Sequence, residues 1–245
     1  MLVDRVPAAG QIANGMPDWS EPAGGGGVAA VQIAKLAGAC DFYTALGEDE
    51  LGSRSLERFR ELGVDIHAEW FGTTRRAFVQ VDAHGERTIT TVGAKLRPRV
   101  LPPMEHYDAV FFVAGEAETL RATRAARFVS ATPRELPFLR EAGVRLDLLV
   151  GSGTDPGETY DGSLDVGLVV ETEGSAGGLA NGARFEPAAL PGPVVDTYGA
   201  GDSFAATLTF ALGRGDAPDE ALALASRAGA AVITGRGPYT AQLRL

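Results

Sequence analysis

The stretch from Val195 to Ala206 holds the residues best spaced for chemistry. Two glycines, Gly199 and Gly201, stand just ahead of Asp202, and the aspartate opens an apolar run. Phe204, Leu208 and Leu212 recur every four residues, which predicts a helix starting near Gly201 with one face in a core. The first turn of a helix carries N–H groups without helical partners and the positive end of the dipole. Glycines there let the backbone approach a ligand closely, so Gly199, Ala200 and Gly201 form a cradle for a phosphate. Asp202 would lie beside the bound anion, where a carboxylate can take a proton from an attacking hydroxyl. This is the outline of a phosphoryl-transfer site, although a tight connection between two elements uses the same residue types.

The segment Asp196-Thr197-Tyr198-Gly199-Ala200-Gly201-Asp202 resembles the C-terminal signature of the ribokinase-like (PfkB) carbohydrate kinases, Asp-Thr-x-Gly-Ala-Gly-Asp, complete with Tyr198 at the free position. The resemblance implies that Asp202 is the catalytic base and that Gly199, Ala200 and Gly201 form an anion hole for the transferred group. Gly24-Gly25-Gly26-Gly27-Val28-Ala29-Ala30 is similar to the N-terminal signature, in which a glycine pair, here Gly24 and Gly25, lets a sugar lie against the backbone. Where that signature has a sugar-binding asparagine this chain has Ala29, which loses the amide's donors and acceptors. Thr172, Gly174 and Gly177 match a Thr-x-Gly-x-x-Gly turn that lies along the nucleotide, and glycines at the end of a strand allow that approach. Ser152-Gly153-Thr154-Asp155 stands where the family has Asn-x-x-Glu, which orders magnesium and its waters. Asp155 keeps a shorter carboxylate, Ser152 keeps only a hydroxyl, and Glu158 is a nearby substitute. Pro7-Ala8-Ala9-Gly10 aligns with a segment that follows the first core strand in these kinases. On that alignment the first strand and its acidic sugar ligand fall ahead of Met1, Asp4 stands in for the acid, and the sheet is one strand short.

The 245 residues suit a single α/β domain. Against 32 acidic residues there are 22 basic ones, a net charge of −10, which excludes a broad nucleic-acid or anionic-membrane surface but not a nucleotide pocket. Cys40 is the single cysteine and cannot form an intramolecular disulfide; its apolar surroundings favour packing over nucleophilic work. No apolar run is long enough to span a bilayer and the N-terminus lacks the plan of a secretion signal, so a cytoplasmic setting is expected. His67, His84 and His106 show no metal-ligand spacing and read as surface residues.

Positioning elements follow from periodicity. A helix from Val28 should end at Gly38, a strand should span Asp41 to Leu46, and a second helix from Leu51 should close at Gly63. Between Ile66 and Val92 the texture changes: residues 77–82 and 87–91 alternate as an antiparallel hairpin around Ala83-His84-Gly85. This hairpin is expected to be a lid, a dimer contact through its exposed face, or a solvated edge. The insertion is placed at residues 66–95, with 5–20 as a possible addition. Short buried strands are expected at Ala109–Val113, Phe128–Ser130, Leu146–Val150 and Val166–Glu171, a charged helix through Arg121 and Arg127, and a closing helix at Asp216–Thr234.

The resemblance therefore implies a ribokinase-like three-layer α/β/α sandwich with a mostly parallel sheet and a small β lid. It implies transfer of the γ-phosphate of ATP to an alcohol of a sugar, nucleoside or related small molecule, with Mg2+ and, as in several relatives, a monovalent cation. A second reading is a non-catalytic nucleotide or sugar binder of the same fold, favoured by Ala29, Ser152 and the missing strand. A third, a dinucleotide-dependent oxidoreductase, needs a strand leading into the Gly24–Gly27 run, and none is evident.

Overall fold

The computed structural model describes residues 2–3, 7–81 and 87–245. Asp4, His84 and the hairpin turn at 83–85 lie outside the described residues.

Strand β1 (Leu2–Val3) pairs antiparallel with β2 (Gly15–Met16). Helix α1 (Gly25–Ala37) stops at Gly38, whose left-handed φ of 80° lets its N–H close on the Ala34 carbonyl. Strand β3 (Asp41–Leu46) follows, then α2 (Glu50–Glu61) and β4 (Asp65–Trp70). The pairing of β3 with β4 is parallel, as a βαβ unit requires. Residues 66–70, placed in the insertion by sequence, thus belong to a strand beside β3. Its alternation, Asp-Ile-His-Ala-Glu-Trp, is that of a strand with one solvated face.

The lid is a four-stranded sheet in the order β2-β1-β5-β6, with β5 (Arg76–Val81) and β6 (Arg87–Val92) forming its antiparallel hairpin. The register Val79↔Ile89 puts Ala77, Val79, Val81, Ile89 and Thr91 on one face, and all five border the central cavity. The lid's base is clamped to α2. Asp49, the α2 N-cap, accepts from the Gly52 N–H (2.9 Å), the Thr74 N–H (2.7 Å) and the Thr74 hydroxyl (2.6 Å).

The larger sheet has the order β12-β11-β10-β9-β8-β7. Its parallel part is β7 (Ala109–Phe112), β8 (Phe128–Ala131), β9 (Leu146–Ser152) and β10 (Val166–Thr172); β11 (Gly178–Ala180) and β12 (Ala183–Phe185) add antiparallel strands. Helices α3 (Ala117–Thr123) and α4 (Leu136–Ala142) cover one face, and α5 (Ala200–Arg214) and α6 (Pro218–Val232) the other. Leu148 and Val150 of β9 pack with α5 and α6, while Leu149 between them packs with α3 and α4. Both faces are buried, which is why these strands read as continuous apolar runs. The expected α/β/α layering is the layering found. Helix α3 ends at Thr123 rather than reaching Arg127, and α4 escaped the sequence reading because it is short and opens behind Pro133 and Pro137.

No described strand lies between β3 and β7. Each pairs on one side only, β3 with β4 and β7 with β8, so the parallel strands form two sheets rather than one.

Candidate active site

Two helix N-termini converge at the site. In α5 the first helical bond runs from the Ser203 N–H to the Gly199 carbonyl (2.9 Å), so the N–H groups of Ala200, Gly201 and Asp202 lie ahead of it. In α1 the Val28 N–H bonds to the Gly24 carbonyl (3.0 Å), which places Gly25, Gly26 and Gly27 likewise. Gly199 takes a left-handed φ of 85° to turn the chain into α5, and a side chain there would press on Val28 of α1. A Cβ at Gly25 would lie 2.9 Å from Asp202 Oδ1 and 3.1 Å from Val113. The Asp202 carboxylate therefore rests against bare backbone of α1. Gly24, Gly25, Gly199, Ala200, Gly201 and Asp202 all border one cavity of about 2290 Å³.

The loop leading into α5 is anchored by a residue whose role the sequence did not reveal. Asp196 accepts from the Trp19 indole N–H (2.8 Å), the Tyr198 N–H (2.9 Å) and the Gly237 N–H (3.2 Å). One carboxylate thus ties the glycine turn to two distant segments. Trp19 also meets Tyr198 edge to face, and the Tyr198 hydroxyl accepts from the Gly24 N–H at 3.3 Å.

At the C-terminal ends of β9 and β10, Thr172, Gly174 and Gly177 border the same cavity. Gly177 has φ 82°, and a Cβ there would collide with the Phe185 carbonyl, so this turn is open only to glycine.

Asp155 and Glu158 also border the cavity, but every oxygen of both already has a protein donor. Asp155 accepts from the Gly157 N–H (2.8 Å) and from Arg134 (2.6 Å). Glu158 accepts from Arg134 (2.7 Å) and from the Ser152 N–H (2.7 Å). The Gly157 N–H, followed by the Arg134 guanidinium, holds the Asp155 carboxyl below the usual carboxylate range despite its partial burial. This donor set suits a hydrated cation held through its waters and not direct ligation. Arg134 was missed by sequence reasoning. Its one signal is its place just past the end of β8, where side chains of a parallel sheet face ligands. Glu135 beside it is buried and paired with Lys95 and Arg97, which fastens the segment after the lid to the end of β8.

Ala29 lies in the wall of the cavity on α1, buried to 3% exposure. Cys40 is half-buried, and burial together with Asp41 pushes its thiol up to about 12, leaving no thiolate at neutral pH. His67 stacks on Tyr43 and pairs with Asp41 at 2.6 Å on the exposed side of β3.

The model for the pfkB family of carbohydrate kinases matches residues 2–121 and 163–244. The chain belongs to that family. The unmatched stretch, 122–162, is the part of this pfkB kinase that holds Arg134, Asp155 and Glu158. The chain is 28% identical to a fructokinase from Klebsiella pneumoniae over 90% of its own length and 88% of the relative's. It is 28% identical to an aminoimidazole riboside kinase from Salmonella typhimurium, covering 90% and 84%. A ribokinase from Cryptococcus neoformans solved in complex with ADP shares the fold, with TM-score 0.77 and 19% identity, over 99% of this chain and 92% of that one. No helix among the described residues of this pfkB kinase is long and apolar enough to cross a membrane.

Proposed function

We propose that this pfkB kinase transfers the γ-phosphoryl group of ATP to a hydroxyl of a sugar or of a sugar-bearing small molecule such as a nucleoside. The observation that carries this reading is the seat of Asp202: a carboxylate at the start of α5, resting on the bare backbone of Gly25 at the start of α1. A hydroxyl lying on Gly24 and Gly25 would be in reach of that carboxylate, which takes its proton as the oxygen attacks phosphorus. The N–H groups of Ala200 and Gly201 meet the charge that develops on the phosphoryl oxygens, about 3 kcal/mol per donor in comparable holes. Thr172, Gly174 and Gly177 support the nucleotide along its backbone.

Asp155 and Glu158 are the residues that would hold Mg2+, through its water shell and in company with Arg134. When bound, the ion would neutralise charge on the phosphates. The lid face formed by Ala77, Val79, Val81, Ile89 and Thr91 would shield the acceptor from bulk water. Val92, exposed at the end of β6 and outside the cavity lining, supports a homodimer through the lid. A cytoplasmic setting rests on the single cysteine and the acidic soluble composition.

The test is ADP release measured against a panel of ketoses, aldoses and ribosides that includes fructose and aminoimidazole riboside. Release that depends on one acceptor is expected. ATP binding without acceptor-dependent turnover would leave a binder rather than an enzyme.

A further inference from the structure

Gln242 lies in the irregular segment after α6, which runs back across α1 and α5, and it is buried. Its Nε2 donates to the Val28 carbonyl at 2.9 Å and reaches the Ser203 hydroxyl at 3.3 Å. Val28 stands one helical turn after Gly25 on α1, and Ser203 directly follows Asp202 on α5. One amide nitrogen therefore spans the two helices whose first turns carry Gly25 and Asp202. The same segment grips α1 again further along. Gln32 Nε2 donates to the Leu243 carbonyl at 2.9 Å, and the Lys35 ammonium to the Tyr239 carbonyl.

An amide is a costly group to place there. Gln242 Oε1, Gln32 Oε1 and Thr207 Oγ1 are buried with no hydrogen-bond partner among the described residues. Neither amide can be turned over to relieve this. The Val28 and Leu243 carbonyls only accept, so each nitrogen must face its carbonyl and each oxygen is left unanswered. A methionine at position 242 has about the same length and would fill the space without an orphaned oxygen. Folding alone thus gains little from Gln242. What the amide adds is the tether, and the spacing it fixes is tight. A Cβ at Gly25 would lie 2.9 Å from Asp202 Oδ1, and one at Gly199 would lie 3.1 Å from Val28 Cγ1. The two helix starts therefore meet backbone against side chain at both ends of one seam.

We propose that Gln242 is a positioning residue for phosphoryl transfer: its amide holds the start of α1 against the start of α5, so that a hydroxyl lying on Gly25 stays within reach of Asp202. The inference rests on the function proposed above. Gln242 does not border the cavity and acts through Val28 and Ser203. Base and hydroxyl must meet at hydrogen-bond distance, and a displacement of about 1 Å costs on the order of a hundredfold in rate. Thr172, Gly174 and Gly177, which would support the nucleotide, lie in and after β10, an element that the Gln242 amide does not touch. Loss of the tether should therefore slow transfer and spare nucleotide binding.

Gln242→Met in the full chain is the test. The melting temperature should hold or rise, and affinity for ADP, read by titration, should stay within about twofold. Acceptor-dependent kcat should fall about twentyfold. Hydrogen exchange read by mass spectrometry should quicken about tenfold in peptides covering 25–31 and 200–206, with β8 and β9 unchanged. Ser203→Ala removes one of the two acceptors of the Gln242 amide and should lower kcat about threefold with the same split, which keeps the test standing if Gln242→Met folds poorly. Full kcat in Gln242→Met would overturn the proposal. So would a joint loss of kcat, ADP affinity and melting temperature, the pattern of a packing residue. If the unaltered chain phosphorylates no acceptor, the function proposed above fails instead and the exchange measurement decides alone: faster exchange at the two helix starts upholds the tether, and unchanged exchange overturns it.

Discussion

The two sheets that hold the parallel α/β strands were built from the same kinds of residue and reached different degrees of closure. In the β7–β12 sheet, β8, β9 and β10 have a strand on each side and helices on both faces, and Val129, Ala131, Leu148, Leu149, Val150 and Val170 at their centre are buried. In the β3–β4 pair the same α/β rhythm leaves Phe42 and Tyr43 half open, because β3 has nothing on its inner edge. The chemistry divides along the same line. The helix that carries Asp202 packs on the closed sheet, and its signature is complete; α1, which carries the acceptor glycines, packs beside the open pair and has Ala29 where an amide is expected. On the proposed function, phosphoryl handling would sit on the closed half and acceptor recognition on the half with slack.

The largest expected effect lies at the junction. Asp202→Asn keeps the shape and removes the base, so kcat should fall about a thousandfold with nucleotide affinity preserved. Initial rates and nucleotide titration of the purified variant check this. Turnover within tenfold of the parent would take Asp202 out of the proton transfer and leave the anion hole to carry the rate.

Packing comes next. Leu148→Ala empties a site with 0% exposure between β9 and α5, and should cost about 3 kcal/mol. Phe42→Ala removes a larger ring from the wall of an existing opening, and should cost about 1 kcal/mol, since part of that ring is already wet. Urea denaturation of the two variants decides the order. Were Phe42→Ala the costlier change, the opening beside β3 would have to be collapsed in solution.

The sequence made the closed half legible and the open half less so, for a physical reason. Strands buried on both faces must be apolar throughout, so residues 109–113, 128–130, 146–150 and 166–171 announced themselves. Glycine stops did the same for α1 at Gly38 and α2 near Gly63. Ile66–Trp70 fell within the insertion because a strand with one wet face carries the alternation of a hairpin. In the candidate site, local signals were readable: a glycine turn ahead of an aspartate needs no distant partner to be recognised. Arg134 clamping Asp155 and Glu158, or Asp196 reaching Trp19 and Gly237, depends on segments far apart in the chain. No periodicity encodes such pairings.

A gain rather than a loss probes the slack half. Ala29→Asn adds an amide on the cavity wall of α1, close to the Gly24–Gly27 backbone. One new neutral hydrogen bond to an acceptor hydroxyl is worth about 1 kcal/mol, so KM for the acceptor should fall about fivefold with kcat little changed. Steady-state kinetics on the preferred acceptor test it. An unchanged or raised KM would mean that the acceptor lies elsewhere along the cavity.

The smallest effects separate the halves by pH. Lys35, in the last turn of α1, donates its ammonium to the Tyr239 carbonyl; burial, then Arg244 and Arg58, lower its pKa to about 8 from 10.5. Below pH 8 folded and unfolded chains both hold that proton, and the penalty for burying the charge is constant. As pH rises past 8 the folded chain loses the proton first, so the unfolded state binds more protons and stability climbs with pH. Asp155 shows the same slope at the other end of the scale. Its lowered pKa contributes stability above the ordinary carboxylate value of 3.8 that disappears as pH falls through the folded pKa. Lys35→Met should therefore flatten unfolding free energy between pH 8 and 10.5 and leave the acid limb alone, while Asp155→Asn should flatten only the acid limb. Because the two windows do not overlap, each variant should change one limb only, and a Lys35→Met variant that also moved the acid limb would show that the two groups titrate as a coupled pair.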